Sequence, residues 1–94
     1  MLTLIWREAA LDDLDAIIDH IRELNFAAAL RLQDMIEACA ERLCEHPYMY
    51  RTGRMPGNRE AVVSPNYILI YRVVAEAVEI VNVIHSRRQY PPEA

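Results

Sequence analysis

Two β-rich runs, REAVVSPNYILIYRV (residues 59–73) and VNVIHSRRQYP (residues 81–91), set the architecture of this 94-residue chain. Apolar residues alternate or follow one another through both runs, which is the pattern of strands in a small sheet. Turn-forming residues interrupt the pattern at Ser64-Pro65-Asn66, and a second short turn is expected at residues 75–77. We therefore predict three consecutive antiparallel strands, at residues 59–63, 67–74 and 78–84.

The first half of the chain predicts a helical hairpin. Apolar residues recur at intervals of three and four in two segments, residues 8–24 and 27–45. Asn25 can cap the second helix, and Pro47 ends it because proline disfavours helical geometry in the residue before it. A short strand at residues 2–6 comes first. The predicted fold class is α+β, with the helical pair packed on one face of an antiparallel sheet that the N-terminal strand joins.

Length and composition indicate a single globular domain over residues 1–94. The apolar runs are too short to span a bilayer, and residues 1–7 lack the features of a secretory signal, so a cytoplasmic location is expected. Cys39 and Cys44 lie five apart on a predicted helix, where their side chains diverge. We expect both thiols to be reduced and neither to bind zinc.

Charge is distributed unevenly along the chain, whose formal net charge is −4. Residues 1–47 hold four Arg and ten acidic residues, whereas residues 48–94 hold six Arg and four acidic residues. The acids of the first helix are expected on a solvated face: Asp12, Asp13, Asp15, Asp19 and Glu23. A protein that coats nucleic acid nonspecifically needs a large positive field, so the sequence argues against that class. A small basic site in the second half is compatible with these charges.

The segment that follows the last predicted strand contains the main candidate site. An imidazole, two guanidiniums and a phenol lie within six residues there, from His85, Arg87 and Arg88 through Gln89 to Tyr90. These side-chain types can bind a phosphate and assist proton transfer. The alternative is a solvated terminus whose arginines serve solubility.

A second basic group lies in the loop between the helices and the strands. Arg51, Arg54 and Arg59 alternate there with Tyr48 and Tyr50, and such a pattern can stack on bases and hold phosphates. The alternative is a loop whose tyrosines cover the end of the helical pair. If both basic groups border the same face of the sheet, one surface gains five arginines.

The middle strand is expected to serve mainly as core. Tyr67 and Tyr71 point to one face with Leu69 between them, and the intervening residues point to the other. Arg72 stands among apolar strand neighbours and is expected to find an acidic partner, for which Glu60 on the adjacent strand is the candidate.

Several common sites are not indicated by the sequence. His20 and His46 are expected on helix surfaces, and no metal constellation emerges. Gly53 and Gly57 lack the Lys-Ser/Thr of a phosphate-binding loop and precede a strand. We expect no cofactor.

Four motifs together resemble the RelE/ParE toxin superfamily: PGNRE (residues 56–60), PNY (65–67), IYRV (70–73) and VNVIHSRRQ (81–89). The resemblance covers nearly the whole chain, and the terminal HSRRQYP looks most like the ParE branch. It implies the toxin of a bacterial type II toxin–antitoxin pair, held inactive by a cognate antitoxin. ParE-like members poison DNA gyrase, and RelE-like members cut messenger RNA in the ribosomal A site.

The residues favour the gyrase mechanism over the nuclease mechanism. A metal-independent endoribonuclease needs groups that activate a hydroxyl, stabilise the phosphate and protonate the leaving oxygen. The candidates for these roles are Arg59, His85, Arg87, Arg88 and Tyr90. The strand position where RelE-like enzymes carry a phosphate-binding arginine holds Ile68 instead. The net negative charge also disfavours docking into ribosomal RNA.

Three functional hypotheses follow from the resemblance. The first is a non-enzymatic gyrase inhibitor that uses Arg51, Arg54 and Arg59 together with residues 85 and 87–90 as its target-binding surface. The second is a ribosome-dependent endoribonuclease with ribosome and messenger RNA as partners. The third is a protein whose main visible activity is antitoxin binding and operon autoregulation, with DNA contacted only through the antitoxin. The antitoxin is expected in the groove between helices and sheet, shielding part of the arginine surface.

Overall fold

The computed structural model describes residues 1–88, 90 and 91 and confirms the α+β prediction. The elements follow in the order β1 (Thr3–Trp6), α1 (Glu8–Leu24), α2 (Phe26–Glu45), β2 (Arg59–Ser64), β3 (Tyr67–Val74) and β4 (Ala77–His85). Each lies within one residue of its predicted bounds. Gln89, which was predicted to belong to the target-binding surface, lies outside the described residues.

The four strands form one mixed sheet in the order β1-β4-β3-β2. The pairs β2–β3 and β3–β4 are antiparallel, as the short turns predict. β1 joins at the edge and runs parallel to β4, with Thr3 opposite Ala77 and Trp6 opposite Ile80. A parallel neighbour requires a long connection, and residues 7–76, with both helices and the strands β2 and β3, lie between β1 and β4.

The helical hairpin closes one face of the sheet. Asn25 is the only residue between the two helices, and its side-chain oxygen accepts a 3.0 Å hydrogen bond from the Ala28 amide, which confirms the predicted cap. Buried residues recur at intervals of three and four: Ala10, Leu14 and Ile18 in α1, and Ala29, Leu32, Ile36, Cys39 and Leu43 in α2, where Ala40 and Cys44 are also buried. They pack against the sheet residues Ala61, Leu69, Tyr71, Val78, Ile80 and Val83.

Alternation along β3 decides which residues join this core. Leu69 and Tyr71 are fully buried on the helix side, and the Tyr71 hydroxyl donates a 2.8 Å hydrogen bond to the Pro47 carbonyl. Burial raises the pKa of the Tyr71 phenol.

Cys39 is buried in the same core, and desolvation raises the pKa of its thiol. Cys39 and Cys44 are free thiols, as predicted.

The expected pairing of Arg72 with Glu60 is wrong. The Arg72 Nε donates to Glu79 Oε1 over 2.7 Å, because the β3–β4 register sets these two residues directly opposite each other. Arg7 approaches the same carboxylate at 3.3 Å. Glu60 instead binds Arg54, and this pair belongs to the candidate site.

Among the described residues, no helix combines the length and the apolar character needed to cross a membrane.

Candidate target-binding surface

The sheet face turned away from the helices, called here the open face, holds a small apolar cluster at its centre. Ile68, Ile70 and Ile84 form this cluster, and Tyr90 packs against it from the segment after β4. Strand alternation produces it, because these isoleucines occupy the positions between the core residues of β3 and β4. Tyr90 belongs to the C-terminal segment, defined here as residues 86–88, 90 and 91; it lies over the open face and is half-buried.

Tyr90 is fixed at its hydroxyl group and at its ring. The hydroxyl donates a 3.0 Å hydrogen bond to the side-chain oxygen of Asn82, and the Arg54 guanidinium carbon lies 5.9 Å from the ring centroid. Burial is the main cause that raises the pKa of the Tyr90 phenol, and the negative charges of Asp13 and Glu60 raise it further. Tyr90 therefore acts as a hydrogen-bond donor near neutral pH.

Arg54 is held by a bidentate ion pair with Glu60. Its Nε and one terminal nitrogen reach the two carboxylate oxygens at 2.8 and 2.9 Å, and its backbone amide donates to Oε2 at 2.9 Å. These hydrogen bonds lower the pKa of Glu60 and raise that of Arg54. Gly53 permits the approach, because a Cβ there would stand 2.7 Å from Glu60 Cγ.

Arg59 lies on the opposite face of the sheet from Arg54 and Tyr90. Adjacent strand residues point to opposite faces, and Arg59 stands opposite Tyr71, whose side chain belongs to the helix-side core. Its guanidinium donates a 2.6 Å hydrogen bond to the Tyr50 carbonyl and lies 4.9 Å from the Tyr48 ring centroid. Arg59 thus ties the loop to the sheet, and the two basic groups do not meet as one surface of five arginines.

His85 also faces the helix side. It stands opposite Tyr67 in the β3–β4 register, and the two rings form an edge contact with their centroids 5.3 Å apart. Tyr67 packs against the helix-side core, so His85 and Tyr90 leave the end of β4 on different faces. The His85 Nδ1 accepts a 3.1 Å hydrogen bond from the Arg87 amide, which makes His85 the origin of the following turn.

The remaining predicted arginines are exposed to solvent. Arg51, Arg87 and Arg88 are exposed, and Arg51 lies near enough to Glu60 to help lower the pKa of that carboxyl. Within the described residues no ion pair involves these three arginines. Arg54 therefore contacts Tyr90, whereas these three guanidiniums pair with no acid in the part of the chain that the structure describes.

Two polar residues of the site were missed by the sequence analysis. Asn82 bonds Tyr90, and Asp13 was predicted on the solvated face of α1 but is half-buried against β4. The Asp13 Oδ2 accepts from the Asn82 side chain at 2.9 Å and from the Val83 amide at 3.0 Å. One signal was present: Asp13 lies four residues before Ile17, on the flank of the apolar stripe of α1.

The described part of the chain contains no group of three His, Cys, Asp or Glu side chains able to hold a metal ion. His20 and His46 are exposed, as predicted.

Comparison with known proteins identifies the family. Residues 4–90 match the family model described as the ParE toxin of the type II toxin–antitoxin system parDE. A curated relative, Toxin RelE2 of Caulobacter vibrioides, is 36% identical over 90 residues, covering 94% of this chain and 99% of the relative.

Solved structures share the same fold. A chain from the chromosomal ParDE system of P. aeruginosa superposes with a TM-score of 0.79 at 26% identity, covering 90% of this chain and 96% of that one. The YoeB/ParE toxin from Agrobacterium tumefaciens gives a TM-score of 0.64 at 16% identity, covering 89% and 98%, which is a likeness of fold alone. The chain therefore belongs to the ParE toxin family, within the RelE/ParE superfamily, and is the toxin of a type II toxin–antitoxin system with an antitoxin as its partner.

Proposed function

We propose that this toxin arrests growth by binding DNA gyrase and inhibiting replication, without cleaving RNA. The observation that carries the proposal is the division of the candidate acid–base groups between the two faces of the sheet. Arg59 and His85 lie on the helix side, and Tyr90 lies on the open face. General acid–base cleavage needs these groups around one phosphate, within about 3 Å of the atoms they protonate or deprotonate.

The floor beneath Tyr90 also supports a protein target. Ile68 is 9% exposed and packs with Ile70 and Ile84, at the strand position where a nuclease of this superfamily would present an arginine. An apolar floor cannot stabilise the charge of a phosphoryl transition state. It suits a protein partner, since interface centres combine apolar and aromatic residues with arginine.

The available charges suit an acidic protein surface. Arg87 and Arg88 follow the fixed end of β4, and the Arg88 amide bonds the His85 carbonyl at 2.9 Å. Exposed guanidiniums on an ordered turn form directed pairs with carboxylates. The acidic first half of the chain and the formal charge of −4 disfavour docking into ribosomal RNA.

Two assays run in parallel test the proposal. Purified toxin is titrated into a DNA gyrase supercoiling and cleavage reaction, and into a translation reaction in which cuts in the messenger RNA are mapped. We expect lost supercoiling or stabilised DNA breaks, with intact message. Cuts at the ribosomal A site without any effect on gyrase would refute the proposal.

A matched pair of double variants tests the surface. Arg87→Ala/Arg88→Ala should weaken gyrase inhibition by about tenfold or more, because it removes two interface guanidiniums. Arg22→Ala/Arg31→Ala removes the same charge from exposed helix positions and should leave inhibition unchanged. Equal inhibition by both double variants would remove the C-terminal segment from the interface. Adding His85→Ala to the first pair should abolish growth arrest.

A ribosome-dependent endoribonuclease is the second candidate, because a relative with 36% identity carries the name RelE2. On that mechanism Arg59, His85, Arg87, Arg88 and Tyr90 are the candidate catalytic residues. Binding to the ribosome would have to bring the candidate side chains from both faces of the sheet around one phosphate. The translation assay distinguishes this candidate directly.

The antitoxin is proposed to use a separate groove. A cleft of about 620 Å³ lies between β1 and α2, lined by Met1, Leu2, Leu4, Ala38 and Cys44 with the side chains of Glu41, Arg42 and Glu45. Its apolar walls suit an amphipathic or extended segment. We expect the same antitoxin to shield part of the arginine surface. A toxin–antitoxin complex that leaves Arg54, Arg87 and Arg88 fully exposed would contradict this expectation.

A further inference from the structure

Asp13 satisfies the free edge of β4 beyond the end of β1. The last pair of the parallel ladder is Trp6 with Ile80, so none of the described strands flanks the following residues of β4 on that side. The Val83 amide would be unpaired there, and Asp13 of α1 accepts its hydrogen bond at 3.0 Å. The carboxylate thus has a structural role that explains its place near the sheet.

The same carboxylate determines the orientation of the Asn82 amide. An ionised carboxylate can only accept hydrogen bonds, so the Asn82 NH₂ group must point toward Asp13 and the Asn82 carbonyl oxygen must point away. That oxygen accepts a hydrogen bond from the Tyr90 hydroxyl group, and the two oxygens are 3.0 Å apart. Asp13, Asn82 and Tyr90 form a chain of hydrogen bonds in which each donor and acceptor is fixed by its neighbour.

Tyr90 is the distal anchor of the turn that carries the exposed arginines. On the proximal side, the Arg88 amide bonds the His85 carbonyl at 2.9 Å. On the distal side, the Tyr90 ring rests on the isoleucine cluster beside Arg54. Loss of the distal anchor would leave Arg87 and Arg88 attached to the strand at one end only.

We infer that Asp13 is a positioning residue of the toxin: through Asn82 it holds Tyr90 in place and so orders the segment that presents Arg87 and Arg88 to the target. The inference rests on the proposed function of that segment. It adds a residue that is remote in sequence and acts through Asn82 and Tyr90.

Asn82→Ala separates positioning from edge protection. This variant breaks the link to Tyr90 and leaves the bond between Asp13 and the Val83 amide intact. Asp13→Ala removes both interactions, whereas Asp13→Asn keeps an acceptor oxygen in the same place. Asp12→Ala is the matched control, because Asp12 is an exposed aspartate one position earlier on α1.

The first readout is the concentration of toxin that halves gyrase supercoiling. We expect Asn82→Ala and Asp13→Ala each to raise it by about tenfold, which corresponds to the loss of one hydrogen bond with a charged partner. Asp13→Asn should inhibit gyrase nearly as well as the wild type, and Asp12→Ala should match the wild type. In a Tyr90→Phe background Asn82→Ala should add nothing, because the link is already broken. A full second loss in that background would overturn the inference.

The second readout needs no target. The ring of Tyr90, observed by NMR after ¹³C labelling of tyrosine, should lose its contacts with the isoleucine cluster in Asn82→Ala and retain them in Asp12→Ala. Asp13→Ala should also move the titration of the Tyr90 phenol to lower pH. Glu60, Arg54 and Arg88 face the same phenol. These three residues are unchanged in Asn82→Ala and in Asp13→Ala. An unmoved ring in Asn82→Ala would refute the positioning role even if Asp13→Ala failed to fold.

The two proposals fail in different ways. If Arg87→Ala/Arg88→Ala leaves gyrase inhibition unchanged, the proposed function of the segment is wrong. If that double variant is impaired while Asn82→Ala remains as active as wild type, the segment contacts the target and the positioning role of Asp13 is wrong.

Discussion

The ion pair between Arg54 and Glu60 gives a prediction whose size and pH dependence both follow from the structure. Glu60→Gln is the perturbation. The wild-type carboxylate accepts three hydrogen bonds from Arg54, at 2.8, 2.9 and 2.9 Å. A glutamine keeps one acceptor oxygen and turns an NH₂ group toward the guanidinium, so at least one of these bonds is lost.

The magnitude depends on exposure. Hydrogen bonds to charged groups contribute roughly 1.5–3 kcal/mol when buried, whereas exposed ion pairs contribute about 0.2–1 kcal/mol. The Glu60 side chain is 18% exposed and the Arg54 side chain is 39% exposed, so solvent screening reduces the larger range. We expect Glu60→Gln to lower the free energy of unfolding by about 1–2 kcal/mol at neutral pH.

The pH dependence follows from the lowered pKa of Glu60. A carboxyl whose pKa is lower in the folded state stabilises the fold fully above its unfolded pKa of about 4.3. That contribution is lost as the pH falls below this value through the folded pKa. The difference between wild type and Glu60→Gln should therefore be largest at pH 7 and should shrink at pH 3.

Urea denaturation followed by circular dichroism measures both quantities. Wild type and Glu60→Gln are compared at pH 7 and pH 3, with Glu76→Gln as the control. Glu76 lies exposed in the β3–β4 turn, so its replacement should change stability by less than about 0.5 kcal/mol. A Glu60→Gln loss of the same size at both pH values would show that charge is not the cause and would refute the reasoning.

Three further predictions concern the scaffold. Tyr71→Phe should cost about 1–2 kcal/mol in urea denaturation, because the Pro47 carbonyl loses its hydroxyl donor; an unchanged midpoint would mean that water replaces the hydroxyl. Asn25→Ala should cost about 1 kcal/mol through loss of the Ala28 bond, with Asn25→Asp retaining most of it. Ile36→Ala should cost about 2–5 kcal/mol, since this side chain is fully buried, and a loss under 1 kcal/mol would contradict its place in the core.

The sequence predicted most of the fold because the patterns involved are local. The period of the apolar residues predicts the bounds of α1, Glu8–Leu24. The residue type of Asn25, at the start of the second apolar stripe, predicts the helix cap. The short turns give the antiparallel order of β2, β3 and β4. The sheet was predicted to be antiparallel, and the parallel pairing of β1 with β4 was not predicted, because partners separated by two helices and two strands leave no local signal.

The candidate site was predicted less completely. Arg54 and Tyr90 lie together on the open face, and Arg87 and Arg88 are exposed on the turn after β4. The role of these residues at a target stays a prediction. Arg59 was grouped with them by its place in the basic loop, yet strand alternation directs it to the other face. The expected pairing of Arg72 with Glu60 rests only on their places in adjacent strands. The β3–β4 register instead places Glu79 directly opposite Arg72.

The sequence by itself determined the elements, their caps and turns, the fold class and the family, because each depends on residues close together in the chain or on motifs read directly. Only the tertiary structure decided which charged groups meet. Asp13 reaches Asn82 and Val83 across about 70 residues of chain, and it does so because β1 ends before β4 and leaves an amide without a partner. Such a contact arises from the geometry of the sheet edge, which no local pattern records.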